Sequence, residues 1–284
     1  MKDQIIQEIT AFVLNDPRNR FEFLGGGRAF DAPIVRVSAA DDPLFSAYKT
    51  IIDPRHMTPK EAFEAAFGAG SFGGGSVVSI VLPYSEAVRK SQRGQTDWPS
   101  KEWTLCRTFA DENFRKTALR DFVTEMMKRK GFRAVIPAQM PGFAVFPSNG
   151  RLVSAWSERH VAYAAGLGTF SLNDAFITEK GICVKLLSFV TDCALPPDAR
   201  TAKDYRANCL YYAKGTCGAC IKRCPAGAIT LDGHDVRRCH ALTYGERSKQ
   251  IAEDLGALRD NGSGCALCQC GVPCEYRNPV AKEA

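Results

Sequence analysis

No run of eighteen apolar residues occurs in the chain, so no segment is long enough to cross a bilayer as a helix, and no membrane partner is expected. The first seventeen residues, MKDQIIQEITAFVLNDP, lack a basic stretch leading into an apolar one. That argues against a secretory leader and predicts a cytoplasmic protein. Charge of one sign is nowhere concentrated. Lys and Arg number 37 against 31 Asp and Glu, and the net +6 divides into +3 before Pro196 and +3 from Pro196 onward. A nucleic-acid stripe would have unbalanced the two parts, and tRNA is therefore not expected as a partner. Histidine is scarce, with four residues and no metal-ligand spacing among them. The phosphate-binding Gly-Lys-Ser/Thr signature is also missing. Gly25–Gly27 and Gly73–Gly75 read as loops, the second one preceding a strand where a dinucleotide fingerprint would follow one. A close backbone approach to a flat cofactor is the lesser reading of these glycines.

Cysteine is abundant. Of twelve, Cys106, Cys183 and Cys193 are scattered and read as small buried apolar residues. The other nine lie between Cys209 and Cys274. In a reducing compartment, clustered thiols are metal ligands before they are disulfides.

Ahead of them, the chain alternates helical and extended patterns. Ile5, Ile6, Ile9, Phe12 and Val13 recur at helical spacing until Pro17, and FLGGGRAFDAPIVRVSAADDP then reads as loop-rich. Thr58, Pro59 and Gly68 punctuate a helix, SVVSIVLPY reads as a buried strand, and a long helical pattern runs from Lys101 to Lys130 with Trp98, Trp103, Phe109 and Phe114 on its packed face. Short strands are expected over 132–136 and in ICVKLLSFVTD, with a helix in SERHVAYAAG capped by Ser157. The fold class is α+β, with a soft boundary near residue 195 dividing a domain 1–195 from a cysteine-rich domain 196–284.

CGACIKRCPAGAI carries Cys217-x2-Cys220-x3-Cys224-Pro225, close to the ferredoxin run C-x2-C-x2-C-x3-C-P, in which the last cysteine serves the other cluster of a pair. Lys214 stands where the first cysteine belongs, and Cys209 is the nearest substitute. CALCQCGVPCE supplies Cys265, Cys268, Cys270 and Cys274, with Cys239 upstream. In a crossed arrangement, one assignment gives Cys209, Cys217, Cys220 and Cys274 to a first [4Fe-4S] cluster and Cys224, Cys239, Cys265 and Cys268 to a second. Cys270 is then spare, or a fallback ligand. Two zinc knuckles would leave five thiols unexplained, a single cluster would make the remaining cysteines structural, and a disulfide scaffold conflicts with the compartment.

On AAGLGTFSLNDAFIT, the Thr191-Asp192 strand end with PPD, CGACIKRCPAGAI, VRRCHAL and CALCQCGVPCE, the sequence resembles the epoxyqueuosine reductase and reductive dehalogenase group, best over 157–277. The resemblance implies a nitroreductase-like α/β domain holding a cobalamin, followed by a ferredoxin-like domain with two [4Fe-4S] clusters. It further implies a ferredoxin or flavodoxin-type electron donor, and a small-molecule substrate or corrinoid as acceptor. Gly166, Gly168 and Thr169 would lie at the corrin pocket. Six positions before Glu158, where epoxyqueuosine reductases carry an acid, stands Leu152. The chain also ends about ten residues after Cys274, without the helical-repeat tail that serves tRNA binding in those enzymes. Both departures point away from epoxyqueuosine in tRNA as substrate. Tyr84, Glu158 and His160 are the catalytic candidates, His160 because an ordinary imidazole titrates near neutral pH. The alternative is an electron carrier, or a corrinoid-reactivating or trafficking protein, with no catalytic cobalamin of its own.

Overall fold

SVVSIVLP alternates β-branched and aliphatic residues with no charge, a pattern suited to a strand covered on both sides. In the computed structural model, which describes residues 1–148 and 151–281, that segment is the central strand of a four-stranded antiparallel sheet. The strands are β1 (Ile34–Ala39), β2 (Ser76–Pro83), β3 (Ala134–Val135) and β4 (Val184–Thr191), in the order β1-β2-β4-β3. Register pairs Ser188 with Ser79 and Val37 with Val78. All eight residues of β2 are buried.

Alternation along the strands sends side chains to two helical layers. On one face, Val78, Ile80 and Leu82 of β2 and Leu187 and Phe189 of β4 pack with Ile5, Ile9 and Val13 of α1 (Lys2–Asn15) and with Phe114, Val123 and Met127 of the long helix. On the other, Val77 and Val190 meet Phe45, Tyr48, Phe63 and Trp156. These last come from α2 (Pro43–Ile51), α3 (Pro59–Phe67) and the approach to a short helix, α4 (Glu158–Ala164).

β1 and α2 fall in or at the edge of the stretch read as loop-rich, which is corrected here. The glycines of 25–27 drew attention from IVRVSA, which alternates into the core, and Asp42 caps α2 by accepting from Leu44 N, with Pro43 at the first helical position. Thr58 and Glu61 form a reciprocal capping box at α3. The long helical pattern is one continuous rod of three windings: Lys101–Leu105 and Arg120–Arg129 are α-helical, and Cys106–Leu119 between them is π-wound. Trp103 and Phe114 are buried as expected, but Phe109 is exposed.

Beyond residue 195 the helices are short: α5 (Leu210–Lys214), α6 (Ala219–Lys222), α7 (Val236–Tyr244) and α8 (Glu246–Asp254). This segment is stitched onto the sheet. Ile182 N donates to Cys274 O (2.8 Å), and Arg107 donates to Asn261 O (2.8 Å) and Tyr244 OH (2.7 Å). Glu275 receives Arg93 Nη2 (2.5 Å), Arg89 Nη1 (3.3 Å) and Gly271 N (2.8 Å). Among the described residues no helix is long and apolar enough to cross a membrane.

Candidate cysteine centres and an adjoining cleft

The nine clustered cysteines sort into two fours and a remainder. Cys209, Cys217, Cys220 and Cys274 line one pocket with Ile177, Ile182 and Tyr211. Burial pushes the Cys220 thiol up to about 11, and its neighbours Cys209 and Cys217 push it the same way. Cys274 rises to about 12 through burial, then through Cys209, Cys220 and Cys217. In the second four, burial raises Cys265 to about 11, with Cys239 and Cys224 adding to it. Cys268 is raised well above the ordinary range by burial, then by Cys265, Cys239 and Cys224. No thiol of one four is a leading influence on a thiol of the other.

Four half-buried thiols around one space resist ionising together, so a cationic partner is needed to hold them as thiolates. Among the described residues no three His, Cys, Asp or Glu side chains converge tightly enough for a single ion. A zinc would draw its sulfurs to about 2.3 Å from one point. Fours of thiols set more widely fit the donor set of a [4Fe-4S] cubane.

Cys270 stands apart. It is fully buried, and its Sγ lies 3.2 Å from that of Cys183, which donates to Gln269 O (3.0 Å). The fallback ligand thus has its sulfur against Cys183 in the apolar core.

A group of charged side chains adjoins the second four. Arg159 is open to solvent, yet desolvation is the leading influence on its guanidinium, and Asp174, Cys239, Tyr244 and Cys268 are the charges that bear on it most. Deeper in, Arg115 forks onto Asp111 (2.5 and 2.9 Å) and donates to Leu186 O (3.0 Å). Lys185 Nζ lies 3.5 Å from the same carboxylate. Against its burial, Lys185 and Arg115 hold Asp111 well below the usual carboxylate range, whereas burial lowers Lys185 to about 8. Burial pushes Glu158 up to about 7, opposed by Ser188 and Arg115, and its Oε1 is buried without a partner.

The sequence candidates fare unequally. Glu158 stands beside Arg115. Tyr84 is in the main core, packed on Phe30 and Trp103, with burial raising its phenol well above the usual range. Its hydroxyl is buried without a partner, and the charges of Asp111, Arg107 and Arg115 bear on it. His160 shares a hydrogen bond with Ser157 Oγ (2.8 Å), lies between Tyr48 and Phe170, and is lowered to about 3 by burial. Burial thus favours its neutral form. Ser157 spends its hydroxyl on that ring instead of capping α4.

Around Gly166, Gly168 and Thr169 the chain packs closely on its own backbone. A side chain at Gly166 would meet Ala199 O at 2.7 Å and one at Gly168 would meet Ile177 O at 2.2 Å, so the chain's own backbone fills their space. Thr169 is fully buried and accepts from Asn208 N (2.8 Å). Sequence reading missed Asp111, Arg115 and Lys185. The signals were an acid four residues before an arginine on a helix and a lone lysine in an otherwise apolar strand.

No protein-family model matches the chain. An epoxyqueuosine reductase of Bacillus anthracis is 26% identical over 208 residues, covering 71% of this chain and 48% of that protein. The chain therefore spans about half the length of this curated relative. The structure of an epoxyqueuosine reductase from Bacillus subtilis matches 96% of this chain and 65% of its own, with a TM-score of 0.51 and 19% identity. A catabolic reductive dehalogenase matches 98% of this chain and 37% of its own, with a TM-score of 0.53 and 16% identity. The chain has the mixed α+β fold of these proteins, and the group it resembles in sequence and in fold is that of the epoxyqueuosine reductases and reductive dehalogenases.

Proposed function

We propose that the protein is an iron-sulfur oxidoreductase that relays single electrons through two [4Fe-4S] clusters to an acceptor in the cleft beside the second. The observation that carries this reading is the division of eight cysteines into two fours, each with thiols that bear on one another and not on the other four. Cys209, Cys217, Cys220 and Cys274 would hold the first cluster, and Cys224, Cys239, Cys265 and Cys268 the second. The clusters supply one-electron capacity at potentials set by charge, hydrogen bonding and exposure. The protein supplies placement and protons. Glu158 titrates near neutrality with a free Oε1, so it can hold a proton in the cleft. Leu152, on the exposed face of the hairpin strand Arg151–Ser154, has no proton to give.

The acceptor is a small molecule, a corrinoid among the candidates, that meets Glu158, Arg159 and Lys185. The donor is of the ferredoxin or flavodoxin class, and the setting is the cytoplasm. If a corrinoid binds, Gly166, Gly168 and Thr169 remain the residues the resemblance implies for it, and no step is assigned to it here.

The test is anaerobic reconstitution of the full chain. The expected result is about eight irons per chain, two paramagnetic signals on dithionite reduction, and proton uptake at Glu158 that is abolished in Glu158→Gln. About four irons, or clusters that dithionite does not reduce, would contradict the relay. Titration with cobalamin then decides the acceptor: saturable binding near one per chain places it in this protein, and none leaves the chain an electron carrier.

A further inference from the structure

The two fours of thiols sit in unlike electrostatic surroundings. At Cys220 and Cys274 the leading influences are burial, the other thiols of the set and backbone N–H groups, with no cation among them. At the second four, Arg159 bears on Cys239 and Arg223 on Cys265. Arg223 is fixed there, donating from Nε to Leu267 O (3.2 Å) and Cys270 O (3.0 Å) and from Nη1 to Gln95 O (2.8 Å). Among the described residues Arg159 makes no hydrogen bond or ion pair of its own, so its charge is not spent elsewhere.

The second four also gathers more hydrogen bonds. Ala228 N donates to Cys224 Sγ (3.3 Å), Leu267 N to Cys265, Asn173 to Cys268, and His234 and Thr243 reach Cys239. Asp174, 3.2 Å from His234 Nδ1, is the acid that faces this group and offsets one of the two arginines.

An electron added to a cluster is added negative charge, which fixed cations and donors to sulfur stabilise. Water at the exposed Cys217 assists the first cluster in the same sense. The guanidinium of Arg223, half-buried and pinned by its hydrogen bonds, acts more strongly than that mobile solvent, and Arg159 adds a second positive charge from the solvent side.

We propose that Arg159 and Arg223 hold the second cluster at a higher reduction potential than the first, so that electrons run downhill from the first four of cysteines to the cluster beside the cleft. The inference rests on the two-cluster reading above. Each step moves one electron, oxidising the first cluster and reducing the second, with no bond made or broken. The first cluster is then re-reduced by a donor of the ferredoxin or flavodoxin class.

The experiment is an EPR-monitored redox titration of the reconstituted full chain, with Cys220→Ser and Cys265→Ser used to assign each signal to its set. The second-set signal should appear at the higher potential. Arg159→Gln should lower that midpoint alone, by a tenfold change in the reduced-to-oxidised ratio at fixed potential, about 59 mV for one electron. Arg159→Lys, which keeps the charge, should restore most of the shift. A first set reduced before the second, or an Arg159→Gln shift in both signals or in neither, overturns the inference while leaving two clusters standing. Fewer than about eight irons overturns the two-cluster reading, and the inference with it, before any potential is read.

Discussion

The sheet and the cysteine-rich segment are held together by different means. In β2 every residue is buried, and Phe189, Leu187 and Ile80 are shut away from water completely. In α5, α6 and α7 no residue is buried at all. The sheet region has apolar area enough to fold by burial, at about 25 cal/mol per Å². The segment after residue 195 has little, and its order comes from contacts to the sheet region and from eight thiols that want a metal partner. One half of the molecule is specified by pattern, and on the reading proposed above the other is specified by ligands.

That contrast predicts the largest effect. Stripping iron with a chelator, or replacing Cys265 by Ala, should loosen residues 196–284 while the sheet stays folded, because metal-site binding energy there is folding energy. Hydrogen exchange would show it: fast amides in α7 and α8, slow ones in β2 and β4. Iron content should fall by about half in Cys265→Ala. Equal loss of protection in both regions would break the distinction.

Glu275 is the joint between them. It is buried under Arg89 and Arg93, and it also closes the turn that presents Cys274. Glu275→Ala takes one carboxylate from the buried Arg89, which keeps Glu86 (2.8 Å), and should cost about 1–3 kcal/mol, the scale of a lost hydrogen bond to a charged group. Thermal or urea unfolding measures it. Burial works to raise this carboxyl, but the bonds from Arg93 and Gly271 prevail and its pKa is lowered. A depressed acid stabilises the fold above its unfolded pKa, and that contribution is lost as pH falls through the folded value. Acid should therefore weaken the wild type and spare the variant's remaining stability.

Legibility from sequence followed the same division. β2, β4 and α3 were readable, because period and capping residues are local signals. β1 was lost behind a glycine run, and the π winding of Cys106–Leu119 leaves no local signature. The burial of His160 and Tyr84, which shifts both groups, is not shown by a lone residue in sequence. The Asp111–Arg115–Lys185 group was invisible for another reason. It forms between a helix and a strand 70 residues apart, and only the long-range packing of the rod on the sheet brings it into the cleft.

Within that cleft, pH gives a smaller effect of opposite sign to Glu275. Glu158 is raised to about 7 by burial, so the folded protein binds a proton that the unfolded chain releases nearer 4.5. Between those values the native state holds more protons than the unfolded one, and stability must fall as pH rises from about 4.5 to 7. Glu158→Gln should flatten that slope. His56, lowered to about 4 by burial, contributes the reverse trend, with stability lost as pH drops below about 6.5, and it stays in both proteins as an internal reference. A slope unchanged in Glu158→Gln would show that the carboxyl is hydrated and titrates as an ordinary acid.

The smallest effect tests where the boundary between the halves falls. Cys270 lies two residues from Cys268 and four from Cys274, so by position it belongs to the cysteine segment. By surroundings it belongs to the sheet: it is fully buried, in the same apolar cluster as Ile80 and Phe189, with its sulfur against that of Cys183. If surroundings decide, Cys270→Ala should keep every iron and both paramagnetic signals and cost about 1 kcal/mol, the usual scale for a modest core truncation. Loss of iron in that variant would mean that a cluster draws Cys270 out of the core when it assembles. One of the eight assigned thiols would then be the spare, and Cys209, eight residues from its nearest partner in sequence, would be the first to replace in the next variant.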